Sequence, residues 1–516
     1  MQTTATFDPK EDCFIIHTPT IRDAKFWPGE LGKLCTHAVV QANTYTKGKS
    51  IGIQTFLIQI RDMNTHRPLP GLEIGDIGPK YGYATKDNGY MVFNNYKVPR
   101  SALLSRFSKI TKEGDFSVLG NPRVAYQAMM LIRVQLLESA PAFMYKSLMI
   151  ALRYIVNRKQ FKSIPNSLDE RKIIDYQASK TKIASALAFG WASRFTSFKC
   201  NDMYDKMVKE IAQNKFKTMK DLHSFGCALK AYYCDEVVNQ QKDLRELMGA
   251  HGYLNGSEMT DMIEMVGPIV TLEGDSCVMY QQTAKDIFKT VGKLLKGGTI
   301  KGTYAYLEQM SDYIETECED LNIENTAELI DVLKAATVNQ IVKVGNELRK
   351  SEKYSFDEKW NKVYLSEIIK TAKLHSIYST AAIFLESLSS YEISPNLLKH
   401  LQVLCDIYVC ENIIKNGDQA LMSGYITGSQ LLQINERLEK LINEIRPQFV
   451  PLVESASLHK KSISGVISQM DGKYSERLYE FASNRKLNQK DMLQGTNDYI
   501  KPLHRKLMNF SARISK

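Results

Sequence analysis

The hydrophobic pattern of this chain changes period near Pro99-Arg100, and that change constrains the fold more than any other feature. Ahead of it lie the short runs CFIIHTPTI, HAVVQANTY, GIQTFLIQI and GYMVFNNYKV, rich in Val, Ile, Phe, Tyr and Thr. Such residues suit a pleated surface with one buried face. Pro28-Gly29, Pro70-Gly71 and Asn88-Gly89 punctuate the runs, and Asn-Gly is a strong hairpin signal. A small antiparallel β-domain, barrel or sandwich, is expected over residues 1–112.

Past the change the apolar spacing becomes i, i+3, i+4, i+7, which is the period of an amphipathic helix. VAYQAMMLIRVQLLESAPAFMYKSLMIALRYIV, following Arg123, is the longest such run, and KIIDYQASKTKIASALAFGWASRF and DLHSFGCALKAYYCDEVVNQQ continue it. A helical bundle is expected over 118–298, closing at Gly297-Gly298, and a second one over 304–516. The fold class is therefore α+β: a β-domain followed by two mainly α-helical bundles. The sequence has no internal repeat and no low-complexity segment.

Composition narrows the function. The 516 residues are 44% hydrophobic and 24% charged, as in a globular chain that buries a sizeable core. No apolar run of about 18 residues predicts a membrane span, and MQTTATFDPKEDCF lacks the apolar core of a secretory signal. Nine scattered cysteines without a CxxC pair predict reduced thiols in an intracellular compartment and no zinc site. The net charge of +10 is spread along the chain. No nucleic-acid module accompanies it, so it fits either a mildly basic surface or a phosphate-bearing small ligand.

Four segments carry candidate chemistry, each with a plain structural alternative. In TLEGDSCVMYQQTAK, Glu273 stands on a glycine hinge ahead of a helix capped by Asp275 or Ser276. Cys277, Tyr280, Ala284, Ile287, Phe288, Val291, Leu294 and Leu295 make the apolar face of that helix. Apolar neighbours raise a carboxylate's pKa toward that of a general base, and the helix N-terminus opposes them. The alternative is a solvated pre-helix glutamate. Gly249-Ala250-His251-Gly252-Tyr253 reads as a helix C-terminal turn or as a main chain open to a ligand. Trp27-Pro28-Gly29 reads as core plus tight turn or as an aromatic wall for a flat ring. Arg158-Lys159-Gln160-Phe161 reads as a basic last helical turn or as a phosphate clamp.

In order and spacing these segments resemble the peroxisomal acyl-CoA oxidase family, within the acyl-CoA dehydrogenase superfamily. TTATFDP, FWPGELGK, PLPGLEIGDIGPKYGY, DNGYMVFNNYKVPRSALL, MGAHGY and LNQKDMLQGTNDYIKPLHRKL extend the resemblance over essentially the whole chain. It implies an FAD-dependent oxidase of β-oxidation that turns fatty acyl-CoA into trans-2-enoyl-CoA and O2 into hydrogen peroxide. Glu273 matches the family's catalytic base. Trp27 and Gly29 match the segment lying against the flavin, and Gly249 and Gly252 the glycine turn near the dinucleotide. Arg158 matches an arginine that reaches the FAD pyrophosphate of a neighbouring subunit, which implies a dimer with itself or a related subunit. No nucleic-acid partner and no metal are implied.

Three positions depart from the family pattern: Ala250 stands for Gly, Ser276 for Asn and Lys285 for Arg. The family has about 150 further residues ahead of TTATFDP, the size of a domain, and they carry a Thr-Glu-x-Gly-His-Gly flavin loop. A non-catalytic fragment that pairs with a full-length partner is the alternative expectation. The family address is peroxisomal, and Ile514-Ser515-Lys516 stops one leucine short of Ser-Lys-Leu.

Overall fold

The structure is a computed structural model that describes residues 2–120, 127–162, 168–350, 353–493 and 495–514. The expected start of the helical block at 123–126 and the terminal Ser515-Lys516 lie outside the described residues. The chain forms two compact units, Met1–Met129 and Met130–Lys516.

The first unit is built on two larger sheets, with a small antiparallel pair formed by Ser108–Ile110 and Phe116–Val118 besides. Strands β1 (Thr4–Asp8), β2 (Cys13–His17), β3 (Lys25–Gly29), β4 (His37–Thr46), β5 (Lys49–Gln59), β6 (Leu72–Asp76), β7 (Asn88–Phe93) and β8 (Tyr96–Pro99) supply the larger sheets. One sheet has the order β5-β4-β1-β2-β8 and the other β3-β7-β6. Between them lies an aromatic and aliphatic core. Phe14 has ring centroids at 5.0 Å from Phe7 and 4.9 Å from Phe56, and Ile16, Ala42, Ile60 and Phe93 are fully buried around it. Each such large side chain contributes about 1.5–3 kcal/mol by leaving water.

Two expectations change here. The sheets are not purely antiparallel, because β1 runs parallel to β4. The connection from β2 passes through β3 before returning to the far side of β1, and such a crossover delivers a parallel strand. Asn88-Gly89 is not a hairpin turn but the start of β7. A Cβ on Gly89 would stand 2.4 Å from the Gly32 amide nitrogen, so this glycine serves close backbone approach. The two-residue hairpin is instead Lys47-Gly48, joining β4 to β5 with φ of 49° and 72°. Positive φ at both positions matches the right-handed strand twist.

The second unit is helical. Its helices include α1 (Gln127–Ile155), α2 (Gln177–Ala212), α3 (Lys217–Leu247), α4 (Met259–Val266), α5 (Ser276–Leu294) and α6 (Thr326–Arg349). Long helices follow at Leu365–Ser390, Pro395–Lys415 and Gly428–Ile445. The small buried residues Ala184, Ala186, Ala188, Gly190 and Ala192 let neighbours approach α2 closely. The larger hydrophobic core of this unit runs from Met130 to Ile467, so both helical blocks of the sequence share it, and a smaller cluster gathers around Ile287, Leu307 and Val338. Polar ties cross that core. The Tyr232 and Tyr408 hydroxyls are 2.9 Å apart, and Arg437 Nη2 donates to Asp406 Oδ2 over 2.7 Å.

Candidate active site

Glu273 sits in a turn between a 3-10 segment, Gly267–Val270, and helix α5. Its backbone is left-handed at φ 56°, followed by Gly274 at φ 103°. A non-glycine residue in that region costs about 1–3 kcal/mol, so its surroundings must hold it there. Glycine is needed next: a Cβ on Gly274 would stand 2.5 Å from Met279 Cε. Asp275 is the N-cap of α5, with its carboxylate accepting from the Val278 amide at 3.1 Å. Ser276 donates to Asp235 Oδ1 on α3 over 2.7 Å.

The Glu273 side chain is exposed on the helical unit, not packed among apolar residues. Among the described residues no hydrogen bond or ion pair engages its carboxylate. The glutamate is thus presented on a fixed backbone with both oxygens available. That arrangement can take a proton from a bound molecule.

The glycine turn lies where α3 ends. Gly249 is left-handed at φ 57°, exposed, and a Cβ there would meet nothing within 4 Å. Its main chain faces open space. Gly252 is buried, and a Cβ there would stand 2.4 Å from the Arg245 carbonyl oxygen. Its missing side chain lets the turn fold back onto α3.

Arg158 is brought to the same place. Helix α1 ends at Ile155, and Lys159–Lys162 is a short strand, so Arg158 stands past the helix and not in its last turn. Its guanidinium donates to Tyr474 Oη at 3.4 Å and to Gln160 Oε1 at 2.9 Å. Both acceptors are neutral. Tyr154 joins the two segments: its hydroxyl is 2.9 Å from His251 Nδ1, and its ring centroid is 5.4 Å from that of Tyr474. Burial, with the Arg158 charge, lowers the His251 pKa. A neutral ring beside a fixed guanidinium leaves a positively charged edge that suits an anion.

In the β unit, Trp27 lies within β3 and is 62% exposed, so it is no core residue. Its φ of 86° is far from strand values, and the β3–β7 register shifts between Phe26 and Gly29. The Trp27 carbonyl accepts from Asn88 Nδ2 at 2.7 Å, which holds the distortion. Gly29 is exposed beside the Lys86 side chain. That exposure excludes the core reading of this segment.

Comparison with known proteins gives the wider frame. The acyl-CoA oxidase C-alpha1 domain matches residues 126–288, and the acyl-CoA oxidase family model matches residues 325–505. The peroxisomal acyl-coenzyme A oxidase 1 of Phascolarctos cinereus is 30% identical over 515 residues, covering 98% of this chain and 78% of that protein. The chain belongs to the acyl-CoA oxidase family. Family members are oxidoreductases, and this chain is an enzyme of that class. The structure of Arabidopsis thaliana acyl-CoA oxidase 1 superposes with a TM-score of 0.94 at 30% identity, covering 98% of this chain and 77% of that one. Caenorhabditis elegans acyl-CoA oxidase-2, bound with FAD, ascaroside-CoA and ATP, gives a TM-score of 0.91 at 28% identity over 98% and 75%.

Set in this acyl-CoA oxidase, the three departures are structurally occupied. Ser276 uses its hydroxyl on Asp235. Lys285 places its ammonium 5.7 Å from the Trp360 ring centroid. Ala250 is an exposed residue of the turn. Sequence reasoning missed Tyr154, Tyr474, Asp235 and Lys230 around these sites. The signal for Lys230 was present in GCALKAYYC, a charge inside an unbroken apolar run.

Proposed function

We propose that this chain is an FAD-dependent acyl-CoA oxidase that converts fatty acyl-CoA to trans-2-enoyl-CoA while O2 is reduced to hydrogen peroxide. The observation that carries the reading is Glu273, exposed and held left-handed between two anchored residues. FAD in two of the related Caenorhabditis elegans structures supports the cofactor.

The residues present fit an FAD. On the helical unit, Gly249 offers open main chain where a Cβ would meet nothing and Arg158 offers charge to a diphosphate; on the β unit, taken by itself, the exposed Trp27 offers a face to a planar ring. Bound flavin supplies a two-electron acceptor for the hydride leaving the β-carbon, and O2 takes the electron pair onward. The protein's own step is at Glu273. Its carboxylate takes the α-proton, and the fixed backbone keeps the oxygen within the ~3 Å reach that proton transfer needs. Arg158 serves a diphosphate better than a lysine could, because its fork binds two oxygens at once. We further propose a dimer in which Arg158 reaches the FAD of the neighbouring subunit, and a peroxisomal location, as in the names of the curated relatives.

Purified chain with FAD should release peroxide on addition of a fatty acyl-CoA. Glu273→Gln should keep the flavin absorbance and lose about 100-fold or more in turnover, the scale of a missing general base. Wild-type turnover in that variant would refute the assignment.

A further inference from the structure

Lysine is among the residues least often fully buried, because stripping an ammonium of water is costly. Lys230 on α3 is fully buried all the same, at 0% exposure. Its Nζ donates to two main-chain carbonyls, Gly274 O at 2.6 Å and Val270 O at 3.3 Å. Those carbonyls lie on either side of Glu273. Burial pushes the Lys230 pKa down; Cys234 and Asp235 on α3 and Asp275 at the α5 N-cap favour the charged form, and Arg133 on α1 opposes it.

The geometry explains why a donor is needed here. Glu273 and Gly274 are consecutive left-handed residues, which turn the chain sharply and take it out of the helical hydrogen-bond ladder. Half-buried carbonyls of such a turn need a partner. A neutral side chain with one or two short-reach donors spans them less well than an ammonium on a four-carbon stem. Asp235, further along α3, holds the first turn of α5 through Ser276 at 2.7 Å and Tyr280 at 3.4 Å.

We propose that Lys230 is a positioning residue for the reaction: its buried ammonium pins the carbonyls of Val270 and Gly274 and so fixes the backbone from which Glu273 reaches the substrate. This rests on the reading of Glu273 as the base. The role belongs to Lys230 itself, because no other side chain hydrogen-bonds to either carbonyl among the described residues.

The test is Lys230→Met in the full chain, with two readouts. The first needs neither flavin nor substrate: hydrogen–deuterium exchange of the segment 270–276. Exchange there should quicken roughly tenfold or more, as charge-assisted bonds are lost, while the middle of α2 stays as protected as in wild type. The second is turnover of an α-deuterated fatty acyl-CoA. kcat should fall about 10–100-fold, as for a base displaced by an ångström. KM should stay within about twofold, with a larger deuterium effect on kcat because proton abstraction becomes slower.

Unchanged exchange in 270–276, or an unchanged kcat and deuterium effect, would overturn the proposal. Glu273→Gln run in parallel separates the two ideas. If that variant keeps turnover, the base is misassigned, and the exchange result still decides whether Lys230 pins the turn. Should Lys230→Met fail to accumulate folded, Lys230→Gln carries the same comparison, since its amide can still donate to one carbonyl. Its exchange and kcat should fall between wild type and the complete loss, and wild-type values in both would refute the pinning role.

Discussion

Acid should destabilise this protein through His375 in a calculable way. The ring is fully buried in the helix Leu365–Ser390. It stacks on Tyr304 and Tyr306 at centroid distances of 5.0 and 5.7 Å, and the Tyr306 hydroxyl lies 2.9 Å from its Nδ1. Its Nε2 is buried with no hydrogen-bond partner among the described residues. Burial lowers the pKa from 6.5 to about 3. The unfolded chain therefore takes up a proton below pH 6.5 that the folded chain refuses until pH 3. The contribution to stability is whole above pH 6.5 and shrinks as pH falls. The loss is about 1.4 kcal/mol per pH unit, hence about 2 kcal/mol at pH 5 and about 5 kcal/mol by pH 3. His375→Phe keeps a stacked ring and removes the titration; leaving Tyr306 without its acceptor costs about 1 kcal/mol at every pH. Urea unfolding of both proteins between pH 7.5 and pH 5 measures the difference. Wild type minus variant should be flat at about 1 kcal/mol above pH 6.5, then fall by about 1.4 kcal/mol per unit, change sign near pH 6 and reach about −1 kcal/mol at pH 5. Two curves that stay parallel down to pH 5 would refute the argument.

Gly274→Ala should disturb the base without unfolding the unit. It forces an alanine to φ 103° and brings its Cβ to 2.5 Å from Met279 Cε. The backbone cost is about 1–3 kcal/mol in urea unfolding, and the shifted turn should lower kcat about 100-fold. Asp406→Ala should act in the opposite sense, on stability and not on chemistry. Asp406 and Arg437 are 8% and 5% exposed and pair at 2.7 Å, with Gln402 and Thr326 donating to the same carboxylate. Removing it leaves the buried guanidinium with only the solvent-exposed Glu324 carboxylate at 3.3 Å, and unfolding free energy should drop by about 3 kcal/mol with the FAD content per folded molecule unchanged.

Much of the fold was legible because period is a local property. The switch from alternation to i, i+3, i+4 spacing separated sheet from helix, and Asp275 was readable as an N-cap. Strand partners were not readable. The parallel pairing of β1 with β4 depends on where a long connection returns, which no local pattern encodes. Lys47-Gly48 was missed as a turn because lysine has no intrinsic preference for positive φ; the hairpin imposes it. Arg158 illustrates a third limit. Its helix ends at Ile155 because the following residues pair as a strand, and a tertiary partner decides that ending.

For the site, the sequence supplied Glu273, Gly249 and Arg158 but not what holds them. Among the described residues thirteen non-glycine residues have positive φ, and several, such as Lys47, Asn95 and Asn214, are ordinary turn residues. Left-handed backbone alone therefore marks nothing. Two of the left-handed glutamates, Glu258 and Glu273, differ in what their carboxylates meet. Glu258, at φ 69°, is buried, and its carboxylate accepts from the Ser464 and Gly465 amides at 2.7 and 2.9 Å and from Lys146 at 2.7 Å. Its strain is repaid on the spot by charge-assisted bonds. Glu273, at φ 56°, bears the same backbone strain with its carboxylate engaged by nothing among the described residues. Lys230, Asp235 and Asp275 hold the backbone around it, and none of them holds the side chain. Under the proposed function, that outward carboxylate is the group that meets the substrate's α-proton.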